Sequence, residues 1–312
     1  MPDKKGSSIL QAASHQTSVR PDALLTSVNS GVTVHRVGTI KAEFRSEARI
    51  FARELAEYIN TTKGGIASAF VFEETFGTKD VIHWLLHIND LGAYETMVRM
   101  GSADPAFRDI ILKQRIAEEK GGGTWDRMFV DGSIQETVLL PQFYGMYGTT
   151  MENEGGMASE TRAPERALPL ASSQTDSREA IALNTATSGI VLVRSAKARN
   201  RFRGEARQFG RAVAASLNDA LPGQVSSFLF EEAFGSADRI HWIIHMKNLE
   251  AYYSLINLHA AMIPEIVDIY TREWIAPEKG GGNWSRIFMD GTFADLALTP
   301  QNWNMYATQG KQ

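Results

Sequence analysis

From Gly31 onward the chain alternates short apolar runs with longer stretches in which apolar residues recur every three or four positions. Val32, Val34 and Val37 lie in a β-branched run that predicts a first strand. In the FRSEARIFARELAEYIN that follows, Phe44, Ala48, Phe51, Ala52, Leu55 and Ile59 keep helical spacing, and Gly64-Gly65 ends the helix. Two more strands are predicted, one ending at Glu74 and one running from about Asp80 to Ile88, joined at Phe76-Gly77 as a hairpin. A helix opens at Leu91 with Tyr94, Met97 and Val98 on one face, and Pro105 is placed to start another at its first position. After the loop Glu119-Lys120-Gly121-Gly122-Gly123, the alternation of Trp125, Arg127, Phe129 and Asp131 predicts a last strand.

The same order then returns. Residues 70–94 and 228–252 are identical at 14 of 25 positions at an offset of 158 (241 − 83), and both copies set Glu-Glu and His-x-x-x-His inside apolar runs. The second helix runs from Phe202 through Phe209, Val213 and Leu217 to Pro222-Gly223, and the glycine loop recurs at Glu278 to Gly282 before Trp284, Arg286, Phe288 and Asp290. Each half closes on a shared pattern, Pro141-Gln142 with Met146-Tyr147 and Pro300-Gln301 with Met305-Tyr306. Residues 1–28 are polar and aperiodic and predict a mobile arm; 29–150 form a first repeat, 151–182 a linker, and 183–312 a second repeat. Each repeat reads βαββαβ, the ferredoxin-like order, whose sheet has one bare face. Two such faces meeting in one chain predict an α+β fold in which tandem ferredoxin-like units pack as an intramolecular pseudo-dimeric barrel. Neither half is expected to be stable alone.

Composition narrows the function classes. With 312 residues and 43% hydrophobic content the chain can bury substantial cores, and a net charge of −4 without a basic cluster gives no footprint for nucleic acid or an anionic membrane. Cysteine is absent, so disulfides, thiolate metal sites and a cysteine nucleophile are excluded. No signal-peptide core or membrane-length apolar run is visible, and a cytoplasmic location is the default.

The His-x-x-x-His spacing would grip one metal ion on a helix, but on a strand the two histidines lie about 13 Å apart. The β-branched surroundings favour the strand, which turns His83, Leu85 and His87 to one face and Ile82, Trp84 and Leu86 to the other. Adjacent Glu73 and Glu74 must then split between faces, so only one of each pair joins the histidines. The glycine loop lacks the Gly-Lys-Ser/Thr ending of a phosphate cradle and suits a turn or lid. On face and chemistry alone, His83 or His241 is expected to abstract a proton while Arg127 or Arg286 stabilises the resulting anion. His87, His245, Glu74, Glu232, Trp125 and Trp284 are expected to line the ligand. Structural roles for all of these, as hydrogen-bonded interior histidines or a core tryptophan beside a snorkelling arginine, stand beside that reading.

The run from Glu74 through Phe76-Gly77, the strand with His83-Trp84, and Leu91 to Tyr94 opening a helix resembles the NIPSNAP pattern, within the dimeric α/β-barrel superfamily that includes antibiotic-biosynthesis monooxygenases. The resemblance implies a pocket inside each unit and cofactor-independent oxidation, cyclisation or isomerisation, with haem chemistry as an alternative. The expected partner is an apolar or aromatic, polyketide-like small molecule of secondary metabolism. A non-catalytic sequestering protein is the other reading, and a further homodimer is left open.

Overall fold

The computed structural model describes residues 10–143 and 169–302. Residues 1–9, residues 151–168 of the expected linker, and the Met146-Tyr147 and Met305-Tyr306 motifs lie outside the described residues. The first half runs β1 (Val32–Thr39), α1 (Arg45–Thr62), β2 (Ala67–Glu74), β3 (Val81–Ile88), α2 (Leu91–Ala103), α3 (Pro105–Leu112) and β4 (Gln135–Pro141). The second runs α4 (Arg178–Ala182), β5 (Ile190–Lys197), α5 (Arg203–Ala220), β6 (Val225–Phe234), β7 (Arg239–Met246), α6 (Glu250–Ala260), α7 (Pro264–Thr271) and β8 (Ala294–Pro300).

All strand pairs are antiparallel, and the eight close into one barrel in the order β1-β3-β2-β8-β5-β7-β6-β4. This is a mixed α+β fold. Closure leaves each strand with an inner and an outer face, and strict alternation assigns residues to them. On β3, Ile82, Trp84, Leu86 and Ile88 face outward and pack against Phe51, Leu55 and Ile59 of α1, while Leu85 faces inward with Phe70, Phe72, Phe228, Phe230 and Ile243. The helices start where their caps dictate. Asp90 accepts from Ala93 N at 2.7 Å to open α2, and Asp104 accepts from Phe107 N at 3.1 Å with Pro105 at the first position of α3.

Two expectations are corrected. Trp125 to Met128 and Trp284 to Arg286 are single 3₁₀ turns outside the barrel; the last strands are β4 and β8, whose exposed openings at Gln135-Glu136 and Ala294-Asp295 hid them. Residues 10–28 are also no mobile arm. Ala13, Leu24 and Val28 are buried in the barrel-interior cluster together with Ala171 and Ala186, so the segments preceding β1 and β5 plug the barrel's lower end. Gln16 donates to Val71 O at 2.6 Å and accepts from Val71 N at 2.9 Å, and Gln174 does the same with Leu229 at 2.8 Å each way. Each amide stitches an arm to the seam where one half meets the other. Among the described residues no helix is long and apolar enough to cross a membrane.

Candidate functional site

Strand alternation sorts the recurring polar residues onto two sides of the sheet. Glu73 and Glu231 point outward and are buried in two-point ion pairs, Arg49 to Glu73 at 2.7 Å twice and Arg207 to Glu231 at 2.6 Å twice. Desolvation works against the Arg49 charge, but the bonds from Glu73 overcome it and hold the guanidinium pKa above its ordinary value. Glu74 and Glu232 point inward to His83 and His241, at 3.5 and 3.4 Å. The hairpin glycine Gly77, at φ +123°, makes room for this: a Cβ there would collide with the Glu74 carboxylate.

The histidines occupy two layers of the barrel interior. At the upper end His83 Nδ1 lies 2.9 Å from Nε2 of His35, on β1. At the sealed lower end His87 meets Thr33 Oγ1 at 3.1 Å and His245 meets Ser27 Oγ at 2.8 Å. Burial lowers the pKa of His87 and His245 to about 3, with the neighbouring His245 adding to the effect on His87. Burial likewise lowers His83 to about 3 and His35 to about 4, helped by His35 and His241 respectively. These four imidazoles are neutral at pH 7.

Arg127 and Arg286 are not brought to the histidines. Each donates to two carbonyls of its own glycine loop, Arg127 to Gly121 and Gly122 and Arg286 to Gly280 (2.7 Å) and Gly281 (2.6 Å), on the helical side of the sheet. Trp125 and Trp284 lie on that side too, stacked on Phe51 and Phe209 with ring centroids 5.5 and 5.7 Å apart. The histidine–arginine pairing expected from the sequence is therefore split by the sheet, because the segment carrying Arg and Trp is a turn outside the barrel rather than one of its strands.

Trp284 instead helps wall a cavity of about 160 Å³ between the outer sheet face and α5, α6 and α7. Phe209, Trp242, Tyr270 and Phe293 form the aromatic walls, with Val213, Leu217, Ile244 and Leu255, and Arg194 supplies the charge. Arg194 holds Asp295 through two bonds of 2.7 Å, which raise its pKa, and burial raises that of the Tyr270 hydroxyl. Trp242 is fixed by its Nε1 donating to Gly210 O at 2.9 Å. A Cβ at Gly210 would stand 2.9 Å from Leu229 and 3.3 Å from the Trp242 ring. The first half has Ala52 there, and its Trp84 Nε1 is buried without a hydrogen-bond partner among the described residues. It also places Ile111 and Ile134 where the second half has Tyr270 and Phe293.

A family model described as a family of unknown function, DUF6039, matches residues 2–306. The chain belongs to that family. Comparison with curated proteins gives no match. Among solved structures, this DUF6039 chain is similar to a protein of Lactobacillus acidophilus NCFM that carries a provisional monooxygenase name, with TM-score 0.47, 11% identity, and 86% of this chain and 93% of that one covered. An anthrone oxidase-like protein follows at TM-score 0.43 and 8% identity, covering 89% and 94%. A chlorite dismutase variant of Candidatus Nitrospira defluvii, in complex with cyanide, gives 0.41 and 12%, covering 88% and 92%. No site residue is carried over from these structures.

Two groups of residues in the DUF6039 chain escaped the sequence reading. His35 has Val193 at the matching position, so a search for recurring residues passes over it. Arg194 does recur, as Arg36, but Tyr270 and Phe293 are found only where the halves differ.

Proposed function

We propose that this chain handles a small apolar or aromatic metabolite whose ring enters the cavity of the second half and whose polar group meets Arg194. The observation that supports this reading is the cavity itself: about 160 Å³ with five aromatic walls and one guanidinium. An engineered apolar cavity of about 150 Å³ takes benzene, so one ring fits and the rest of a polyketide-like molecule would project outward. The proposal includes the architecture of two ferredoxin-like units, residues 29–150 and 183–312, packed as an intramolecular counterpart of a dimeric α/β barrel. The fixed offset relating β1, α1, β2 and β3 to β5, α5, β6 and β7, and the joining of halves at β2–β8 and β4–β6, support it.

The reaction class proposed is cofactor-independent oxidation, cyclisation or isomerisation. In the proton transfer these classes share, the carbonyl oxygen of the substrate would compete with Asp295 for Arg194, the released Asp295 carboxylate would take a proton from the carbon next to that carbonyl, and Arg194 and Tyr270 would donate hydrogen bonds to the enolate oxygen so formed; an oxidation would in addition use dioxygen as the electron acceptor. A carrier without chemistry is the second reading, favoured by the full engagement of Arg194 by Asp295. A haem held by one histidine per half does not fit this cavity, whose lining residues include no histidine, while His83, His87, His241 and His245 face the barrel interior on the other side of the sheet.

Quenching of Trp242 and Trp284 fluorescence by a panel of single-ring aromatic acids tests the site. Val213→Phe should fill the cavity and abolish saturable quenching while the far-UV spectrum is unchanged; quenching that survives in this variant refutes the site. Conversion of the bound compound in air identifies an enzyme, and recovery of it unchanged identifies a carrier.

A further inference from the structure

Nine of the ten residues that line the aromatic cavity are buried or half-buried, and the tenth is Phe293, which is 44% exposed. The residues of α5 and β7 and Leu255 are buried, while Arg194, Tyr270 and Trp284 reach solvent in part. One side of the Phe293 ring therefore faces the cavity and another faces water. The residue lies two positions before Asp295, on the same side of the chain as the carboxylate that holds Arg194. A ring that passes Phe293 leaves its polar group beside that guanidinium.

The backbone on both sides of Phe293 is pinned to β5. Met289 N donates to Lys197 O at 2.9 Å, and Thr292 Oγ1 donates to Met289 O at 2.6 Å while accepting from Lys197 N at 3.1 Å. Ala294, the first residue of β8, pairs with Ser195. Movement at Phe293 is thus left to its side-chain torsions, and exposed side chains change rotamer within picoseconds to nanoseconds. Aromatic contacts hold the ring inward: its centroid stands 5.0 Å from Phe288, 5.9 Å from Trp284 and 6.3 Å from Trp242, the first two edge-on. Each contact of this kind is worth about two- to tenfold in an equilibrium, small enough to break and remake. A guest ring in the cavity offers Phe293 a further aromatic surface on which to close. In the first half the matching residue is Ile134, on a turn pinned in the same way by Thr39 N donating to Ser133 Oγ at 3.1 Å.

We propose that the Phe293 side chain is the gate of the aromatic cavity: it swings outward about its own torsions to admit a ring bearing an acid group, and closes on that ring with the acid left at Arg194. The gate rests on the reading of the cavity as the ligand site. To that reading it adds that the rate of entry is set by one side chain, without movement of the backbone.

Para-fluorobenzoate titrated into the whole chain and followed by fluorine NMR line shapes gives the association and dissociation rates that test the gate. Truncating a gate raises the association rate, whereas truncating a plain wall raises only the dissociation rate. Phe293→Ala should raise association about tenfold, the worth of one strong ring contact broken on opening. Phe293→Ile, which carries the residue of the first half, should raise it less, and both variants should keep the far-UV spectrum of the parent. An unchanged association rate in both variants, with saturable binding retained, overturns the gate and leaves the cavity as the ligand site. Binding that survives Val213→Phe refutes the ligand site itself, and the gate with it.

Discussion

Replacing Arg49 by Met should be among the most damaging single substitutions in the chain, although it alters neither the aromatic cavity nor the histidine cluster. The Arg49 and Glu73 side chains are 2% and 3% exposed and joined by two bonds of 2.7 Å. Removing the guanidinium leaves a buried carboxylate without its counter-charge, and breaking a buried pair from one side costs about 3–5 kcal/mol. Replacing both partners by apolar residues removes the stranded charge, so Arg49→Met with Glu73→Leu should lie within about 1 kcal/mol of the parent or above it. Arg45 and Asp80 give the contrast: Arg45 is 54% exposed, and Arg45→Met should shift the unfolding midpoint far less than Arg49→Met does. Urea unfolding followed by far-UV circular dichroism measures all three. With a slope of about 3 kcal/mol per molar urea, the single variant should lose roughly 1 M in midpoint. Arg207 and Glu231 repeat the geometry and should repeat the result. A cost below about 1 kcal/mol for Arg49→Met, or a double variant as unstable as the single one, refutes the reasoning.

Two further outcomes are expected. The pKa values of His87 and His245 in the folded chain are about 3, below the unfolded value of 6.5, so the unfolded chain takes up protons first as pH falls. Their contribution to stability is complete above about pH 6.5 and is lost progressively toward pH 3; His245→Asn should reduce the slope of stability against pH between 6 and 4 by about 1.4 kcal/mol per pH unit, and an unchanged slope in the denaturation midpoints would contradict this. Residues 1–155 and 180–312 expressed separately should fail to fold cooperatively as monomers, since β4–β6 and β2–β8 cross between them; sedimentation and thermal unfolding showing two stable monomers would count against the paired architecture.

Strand chemistry was legible because period two is a strong constraint. Once β3 was read as a strand, His83 and His87 had to share a face opposite Trp84, and Glu73 had to part from Glu74, as the structure has them. The same rule misled at Trp125 to Asp131, where a 3₁₀ turn with period three imitates alternation over so few residues. The arms were overlooked because their order comes from tertiary contacts rather than local periodicity. A signal was present all the same, since Ala13-Ser14-x-Gln16-Thr17 returns as Ala171-Ser172-x-Gln174-Thr175 at the offset of 158. The cavity could not be read, because it arises from small departures between the halves, Gly210 for Ala52 and Tyr270 for Ile111, whose effect depends on how neighbouring rings settle.

The stitch made by Gln16 bears on how the chain emerges during synthesis. Strand β2 ends at Glu74, and its seam partner β8 ends at Pro300, 226 residues later (300 − 74). At about 5–20 residues per second, the edge of β2 waits on the order of ten to fifty seconds for its neighbour. During that interval its open amides and carbonyls are a template for a strand of another nascent chain. Gln16 is made before β2, and its side chain occupies both backbone groups of Val71 at the point where the Gln301 amide later joins. A single side-chain amide can thus stand guard on the unfinished edge from the moment β2 appears; β6 has no such wait, because its seam partner β4 is made before it.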